Sequence, residues 1–195
     1  MNAGEALRGK VRDAYSGVAE RPSGKHPFPI GRLLAEDLGY PVGLLSELPP
    51  VAVEAFAGVS NVAVFAELPA HGIVLDLGCG AGLDTLIAAR RSPTSLVIGA
   101  DFSRAMLGRA GAAAANAGIR NAVFCQTDAE RLPLAAGSVD VALVNGIFNL
   151  NPARDAILGE LGRVVRPGGT LFAAELLLEQ PLPPEVRADE ANWFA

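Results

Sequence analysis

Apolar residues come in short runs broken by polar and glycine-rich stretches, and from residue 73 onward two kinds of run alternate. The first kind is nearly continuous. Ile73-Val74-Leu75-Asp76-Leu77 is a run of this type, as expected for a parallel strand buried on both faces. Runs 95–100, 122–126, 138–144 and 170–178 read the same way. The second kind has helical spacing and covers 82–90, 103–117 and 152–164. Ser103 precedes an Ala-rich run and is placed to cap it. Pro152 is expected in the first turn of its helix, where a missing N–H costs nothing. Pro167-Gly168-Gly169 predicts a turn leading into the last strand. Strand and helix in alternation predict an α/β fold around a parallel sheet.

The first seventy residues have a different texture. A helix over 8–20 would set Val11, Tyr15 and Val18 on one face. The stretch 21–31 holds Pro22, Pro27 and Pro29 and reads as a loop or tether. Another short helix is expected over 32–38, then a turn at Gly39-Tyr40-Pro41 and a break at Pro49-Pro50. We read 1–70 as a helical cap and tether within the same domain, 71–180 as the core, and 181–195 as a short proline-containing tail.

Composition narrows the classes. A chain of 195 residues suits one well-buried domain. Its 21 acidic and 16 basic residues give a formal charge of -5, with no Lys/Arg block, so binding to a nucleic-acid backbone is disfavoured. The 2 cysteines, Cys79 and Cys125, do not make a disulfide framework and suit a reducing compartment. No signal-peptide pattern opens the chain, and no run approaches the roughly 18 apolar residues of a membrane span. A cytoplasmic soluble protein with no membrane partner is the expectation.

The chemistry gathers where the first strand ends. Asp76 lies inside that strand, and Gly78, Cys79, Gly80 and Gly82 follow. A second acid, Asp101, ends the next strand. A phosphate-binding loop would close with Lys and Ser or Thr, whereas Gly82 is followed by Leu83, Asp84 and Thr85. A dinucleotide fingerprint would need glycine where Leu83 stands, and Asp76 would repel a pyrophosphate. The repulsion vanishes for a ligand carrying an amine or a sulfonium. Asp101 can hold two ribose hydroxyls. A cation at one end, a ribose at the other and no phosphate describe S-adenosylmethionine. Asp128, after the third strand, can accept from an adenine amino group, with the Ala129 N–H facing a ring nitrogen. Asn145 ends the fourth strand at the cleft where a second substrate enters.

Val74–Asp84, Asp101-Phe102-Ser103, Asp128-Ala129-Glu130, Asp140–Leu150 and Arg166-Pro167-Gly168-Gly169 together resemble the class I S-adenosylmethionine-dependent methyltransferases, across roughly residues 70–178. The resemblance implies a Rossmann-like sheet with helices on both faces. It implies that Gly78, Cys79, Gly80 and Gly82 bring backbone to the methionine moiety, beside Asp76. It implies ribose contact for Asp101, adenine-side contact for Phe102, Asp128 and Ala129, and a contact near the methionine part for Asn145. Tyr15 is either a packing aromatic of a lid or a residue whose hydroxyl reaches the cofactor carboxylate.

A closer resemblance is to the arsenite methyltransferases, through Val11-Arg12-Asp13-Ala14-Tyr15, Gly82-Leu83-Asp84, the segment from Asp128 to Pro133 and the segment from Asn145 to Leu150. Arsenite-methylating members bind the metalloid with three cysteines. The matching positions hold Val59 and Gly146, and the third lies beyond the end of this chain. The expectation is therefore a small-molecule methyltransferase with a different acceptor. The alternatives are a non-catalytic S-adenosylmethionine-binding or interaction module and, less favoured, a nicotinamide oxidoreductase. No catalytic base stands out, Glu175 and Asn149 being cleft candidates only, and no metal is called for. Strands six and seven of the class are missing from the pattern. The fifth strand is thus expected to be an apolar edge, where a homodimer could form.

Overall fold

The computed structural model describes residues 3–181 and 183. Its core is a five-stranded, all-parallel sheet in the order β3-β2-β1-β4-β5. The strands are β1 (Ile73–Leu77), β2 (Leu96–Asp101), β3 (Ala122–Gln126), β4 (Val139–Asn145) and β5 (Val165–Ala174). The helices between them are α6 (Leu83–Arg91), α7 (Arg104–Asn116) and α8 (Arg154–Val164). Before the sheet come α1 (Ala3–Glu20), α2 (Gly31–Asp37), α3 (Val42–Glu47), α4 (Pro50–Val53) and α5 (Val62–Phe65). This is the α/β arrangement, with an N-terminal helical segment, that the alternating runs predict.

The two-residue period of a strand sends successive side chains to opposite faces. Val74 joins the core formed with α6, α7 and the helices of the cap. Leu75 and Leu77 join the core under α8, with Ile157, Leu161 and Val164. Asp76 shares Val74's face, so it points at α6 rather than at solvent. Burial on both faces is why β1 reads as an almost unbroken apolar run.

Three elements differ from expectation: the first helix, expected over 8–20, already begins at Ala3, and β5 and α8 have shifted boundaries. The fifth strand was expected over 170–178 but runs from Val165 to Ala174. Val139 pairs with Val165 and Val141 with Thr170, so four residues of β5 bulge opposite Asp140 alone. The expected Pro167-Gly168-Gly169 turn is this bulge, and Arg166 Nε clamps it by donating to Asp140 Oδ1 at 2.6 Å. At its other end, β5 stops where its partner does, since Asn145 pairs with Ala174. Pro152 precedes α8 rather than entering it: Asn151 Oδ1 accepts from Ala153 N at 2.8 Å, which caps the turn ahead of the helix. Ser103 does cap α7, its Oγ accepting from Met106 N at 3.3 Å. The expectation of a tail over 181–195 falls, apart from Pro181 and Pro183, outside the described residues.

Candidate functional site

At the carboxyl end of β1 the chain turns sharply into α6. Gly78 has φ +77° and Gly82 φ +87°, both left-handed. A Cβ on Gly78 would stand 2.3 Å from Ile147 Cγ2, and one on Gly82 would stand 2.9 Å from the Ala110 Cβ. Conformation and crowding therefore both call for glycine here. Ala100 O accepts from Gly78 N at 2.8 Å and from Cys79 N at 3.1 Å, tying the turn to β2. Asp101 Oδ2 accepts from Gly80 N at 2.9 Å, and its Oδ1 accepts from Ser103 N at 2.7 Å. Each oxygen keeps a second lone pair for a hydroxyl.

Asp76 is 2% exposed and takes one side-chain hydrogen bond, from Thr85 Oγ1 at 2.5 Å. Burial, and then the nearby Asp84 charge, push its carboxyl up to about 8. Burial likewise raises Asp101, against the pull of its backbone donors. A buried carboxyl raised in this way is a group in want of a cation. Cys79 lies beside it, and burial together with Asp76 and Asp101 holds its thiol well above the usual range. It is a protonated packing group, not a nucleophile.

Asn145, at the tip of β4, lines the same cleft, but its amide is occupied by the cap. Its Oδ1 accepts from Val59 N at 2.8 Å and Ser60 N at 3.1 Å. Its Nδ2 donates to Ser60 O at 2.7 Å and Asp84 Oδ2 at 2.8 Å. Tyr40 Oη donates to Asp84 Oδ1 at 2.6 Å. Tyr40 and Asp84 are thus structural partners of the site that sequence reasoning did not single out; Asp84 had been noted only as part of a motif. Gly58, next to this latch, has room for no side chain: a Cβ there would sit 2.6 Å from Asn145 Nδ2.

Helix α1 lies over the opening. Arg8, Val11 and Tyr15 line the cleft. Arg8 pairs with Asp128 at 2.6 Å and with Glu130 at 3.2 Å, so the carboxylate expected at the adenine end already has a cation. Tyr15 stacks on Phe28, with ring centroids 4.9 Å apart. Burial, Asp101 and Glu175 raise its hydroxyl, which stays protonated. Phe102, Thr127 and Ala129 line the cleft beside Asp128. Of the sequence-predicted residues, Tyr15, Asp76, Gly78, Cys79, Gly80, Asp101, Phe102, Asp128, Ala129 and Asn145 all line this cleft. Gly82 stands behind it as the N-cap of α6. Arg8 and Ile147 are lining residues that sequence reasoning passed over.

The remaining candidates have other duties. Glu175 Oε2 accepts from Phe148 N at 2.7 Å and Asn149 N at 3.3 Å, and its Oε1 accepts from Asn149 Nδ2 and Leu176 N, both at 3.2 Å. It braces the loop after β4, with Asn149 as part of the brace. Val59 and Gly146, the positions that the resemblance matches to two thiols of the arsenite enzymes, come together, since a Cβ on Gly146 would lie 3.0 Å from Val59 Cγ1. They bring valine methyls against bare backbone. Among the described residues no group of three His, Cys, Asp or Glu side chains could hold a metal ion, and no helix is long and apolar enough to cross a membrane.

Sheet order, glycine turn and the acids at the tips of β1 and β2 define a class I methyltransferase fold, the fold that binds S-adenosylmethionine. The chain belongs to the methyltransferase domain family, whose model matches residues 69–194. It is 34% identical over 133 residues to an arsenite methyltransferase of Halobacterium salinarum, covering 68% of this chain and 34% of that protein. It is 39% identical over 98 residues to a trans-aconitate 2-methyltransferase of Deinococcus radiodurans, covering 50% of this chain and 35% of that protein. The crystal structure of an arsenic(III) S-adenosylmethionine methyltransferase from Chlamydomonas reinhardtii superposes with a TM-score of 0.63 at 29% identity, over 86% of this chain and 57% of that one. The chain thus spans about a third of the length of these curated relatives.

Proposed function

We propose that this chain carries out S-adenosylmethionine-dependent methyl transfer to a small molecule. The observation that carries the reading is the buried Asp76 carboxyl, raised toward neutrality, one glycine turn away from an Asp101 with free lone pairs. S-adenosylmethionine fits this donor set: a cation would satisfy Asp76, and ribose hydroxyls would satisfy Asp101. The backbone of Gly78, Cys79, Gly80 and Gly82 would approach the methionine part. Phe102 and Ala129 would flank the adenine, Asp128 would share its carboxylate between Arg8 and the adenine amino group, and Tyr15 would close over the top. Asn145 acts here by holding the loop 58–60 in place. The cap is proposed to be one domain with the core, because Tyr40 and Asn145 meet on Asp84.

When bound, S-adenosylmethionine supplies a methyl group already activated by its sulfonium. The chain's own part is to hold donor and acceptor in line and to exclude water. The rival reading, a binding module without turnover, draws on the absence of a free base beside the β4 tip. Calorimetry with S-adenosylmethionine, followed by transfer of labelled methyl to a small-molecule panel, decides between them. Micromolar binding with transfer supports the enzyme, binding without transfer supports the module, and no binding by a folded sample refutes both.

A further inference from the structure

The cleft has two unlike ends. The adenine side, with Phe102, Thr127, Asp128 and Ala129, is polar. The β4 side is walled by Phe56, Ala57, Gly58, Gly146, Ile147 and Leu150 and offers apolar carbon and glycine backbone. Many backbone donors around this second end are already engaged. Val59 N and Ser60 N donate to Asn145, Gly146 N to Ala174 O at 2.9 Å, Phe148 N and Asn149 N to Glu175, and Leu150 N to Ile147 O at 3.1 Å. The charged side chains lining the cleft are Asp76, Asp84, Asp101, Asp128 and Arg8, and the guanidinium is paired with Asp128 and Glu130. Among the described lining residues there is no His or Lys.

Among the described lining residues, a carboxylate, phosphate or phenolate entering this end would meet one cation, already paired, and a surplus of acids. An acceptor that must lose a proton would find Asp84 already bonded to Tyr40 and Asn145, Asp76 bonded to Thr85, and Glu175 outside the lining and engaged in the loop brace.

Building on the methyltransferase reading above, we propose that the acceptor is an uncharged, apolar small molecule whose attacking atom carries a lone pair and no proton, such as an aromatic ring nitrogen or a thioether sulfur. The lone pair forms the new bond to the methyl carbon, the carbon–sulfonium bond breaks with its electron pair going to sulfur, and no proton moves. The positive charge passes from the donor sulfur to the acceptor atom. The product is a cation, in a cleft lined by Asp76, Asp84, Asp101 and Asp128.

The test uses the full chain and calorimetry, so it does not depend on turnover. With S-adenosylhomocysteine saturating the cofactor site, the sulfonium charge is gone while the α-ammonium stays, and the lining acids outnumber the cations. N-methylquinolinium and dimethylphenylsulfonium, the cationic products of the two acceptor types, are then titrated against quinoline, thioanisole and the anionic 1-naphthoate. At least tenfold tighter binding of one of the cations than of its neutral parent, with naphthoate weakest, is expected. The cation preferred tells a ring-nitrogen acceptor from a thioether acceptor. Naphthoate binding as tightly as the cations, or no preference between charged and neutral partners, overturns the acceptor class while leaving the methyltransferase reading intact. Failure of S-adenosylhomocysteine itself to bind overturns both.

Discussion

Replacing Asp76 with asparagine separates two effects that a merely structural acid would not show. The folded-state carboxyl sits at about 8, raised first by burial and then by the Asp84 charge. An unfolded aspartate titrates near ~3.9. A group with a raised folded-state pKa binds its proton more tightly in the native state, so its contribution is full at low pH and is lost as pH rises toward the folded value. Each pH unit in that window is worth about 1.4 kcal/mol for one group. Between about pH 6 and pH 8 the wild type should therefore lose up to roughly 2.7 kcal/mol through Asp76. Burial raises Asp84 and Asp101 as well, so each contributes in the same direction, most at low pH and less as pH rises. The asparagine variant lacks the Asp76 share and can still accept from Thr85. Urea unfolding at three pH values should show it gaining on the wild type as pH rises. Binding should move the other way. A cationic ligand must ionise Asp76, so the wild type should release about one proton on binding S-adenosylmethionine near neutrality. Calorimetry in buffers of different ionisation enthalpy reads that proton directly. The asparagine variant should release less and bind at least tenfold more weakly. Parallel pH slopes in the two proteins, or equal affinity, would refute the assignment of Asp76 to the cofactor's cation.

Asn145→Ala should cost about 2–4 kcal/mol, because it leaves Val59 N–H, Ser60 N–H and the Asp84 carboxylate each one partner short; an unchanged urea midpoint would show that the loop 58–60 is held by something else. Arg8→Ala should change global stability by less than about 1 kcal/mol, since its pairs with Asp128 and Glu130 are partly exposed. Amide exchange over α1 should nonetheless quicken, and exchange at the wild-type rate would reject α1 as a latched lid.

What could be read from the sequence was local. Strands β1, β2 and β4 are short apolar runs because each is buried between helical layers, whereas β3, at the sheet edge with Val123 exposed, is an apolar run without that burial. The glycine turn and Asp101 were equally plain, since the hydrogen bonds that shape them run between β1, β2 and the turns that follow those strands. The limits of β5 depend on another segment. Its start is set by a bulge against Asp140, and its end by the point where β4 runs out. The site's supports were hidden for the same reason. Tyr40 lies 44 residues before Asp84, and Arg8 lies 120 residues before Asp128. No periodicity marks such a pair. Asn145 lines the cleft, but its partners on the loop 58–60 give it a holding role that its own strand does not reveal.

That loop also bears on arsenic. At the two positions that the resemblance matches to thiols, the backbone of this chain resists a side chain at one of them. Gly146 has φ +78°, a conformation that costs a side-chain-bearing residue about 1 kcal/mol or more. A Cβ there would also press on Val59 Cγ1 at 3.0 Å. Val59→Cys removes one of that residue's two methyls and eases the crowding, but Gly146→Cys keeps the strain. The double variant should therefore fold with a loss of about 1–3 kcal/mol. It would place two thiols side by side with no third donor for a soft trivalent centre. Wild type given arsenite, glutathione and S-adenosylmethionine should yield no methylarsenical above a boiled control. The double variant should gain at most weak arsenite binding, seen as a small rise in melting temperature. Efficient turnover by the wild type would mean that thiols in solution replace the protein's ligands, and the argument from Val59 and Gly146 would fall. Efficient turnover by the double variant alone would show instead that two thiols suffice, and that these two positions are all that separates this cleft from an arsenic site.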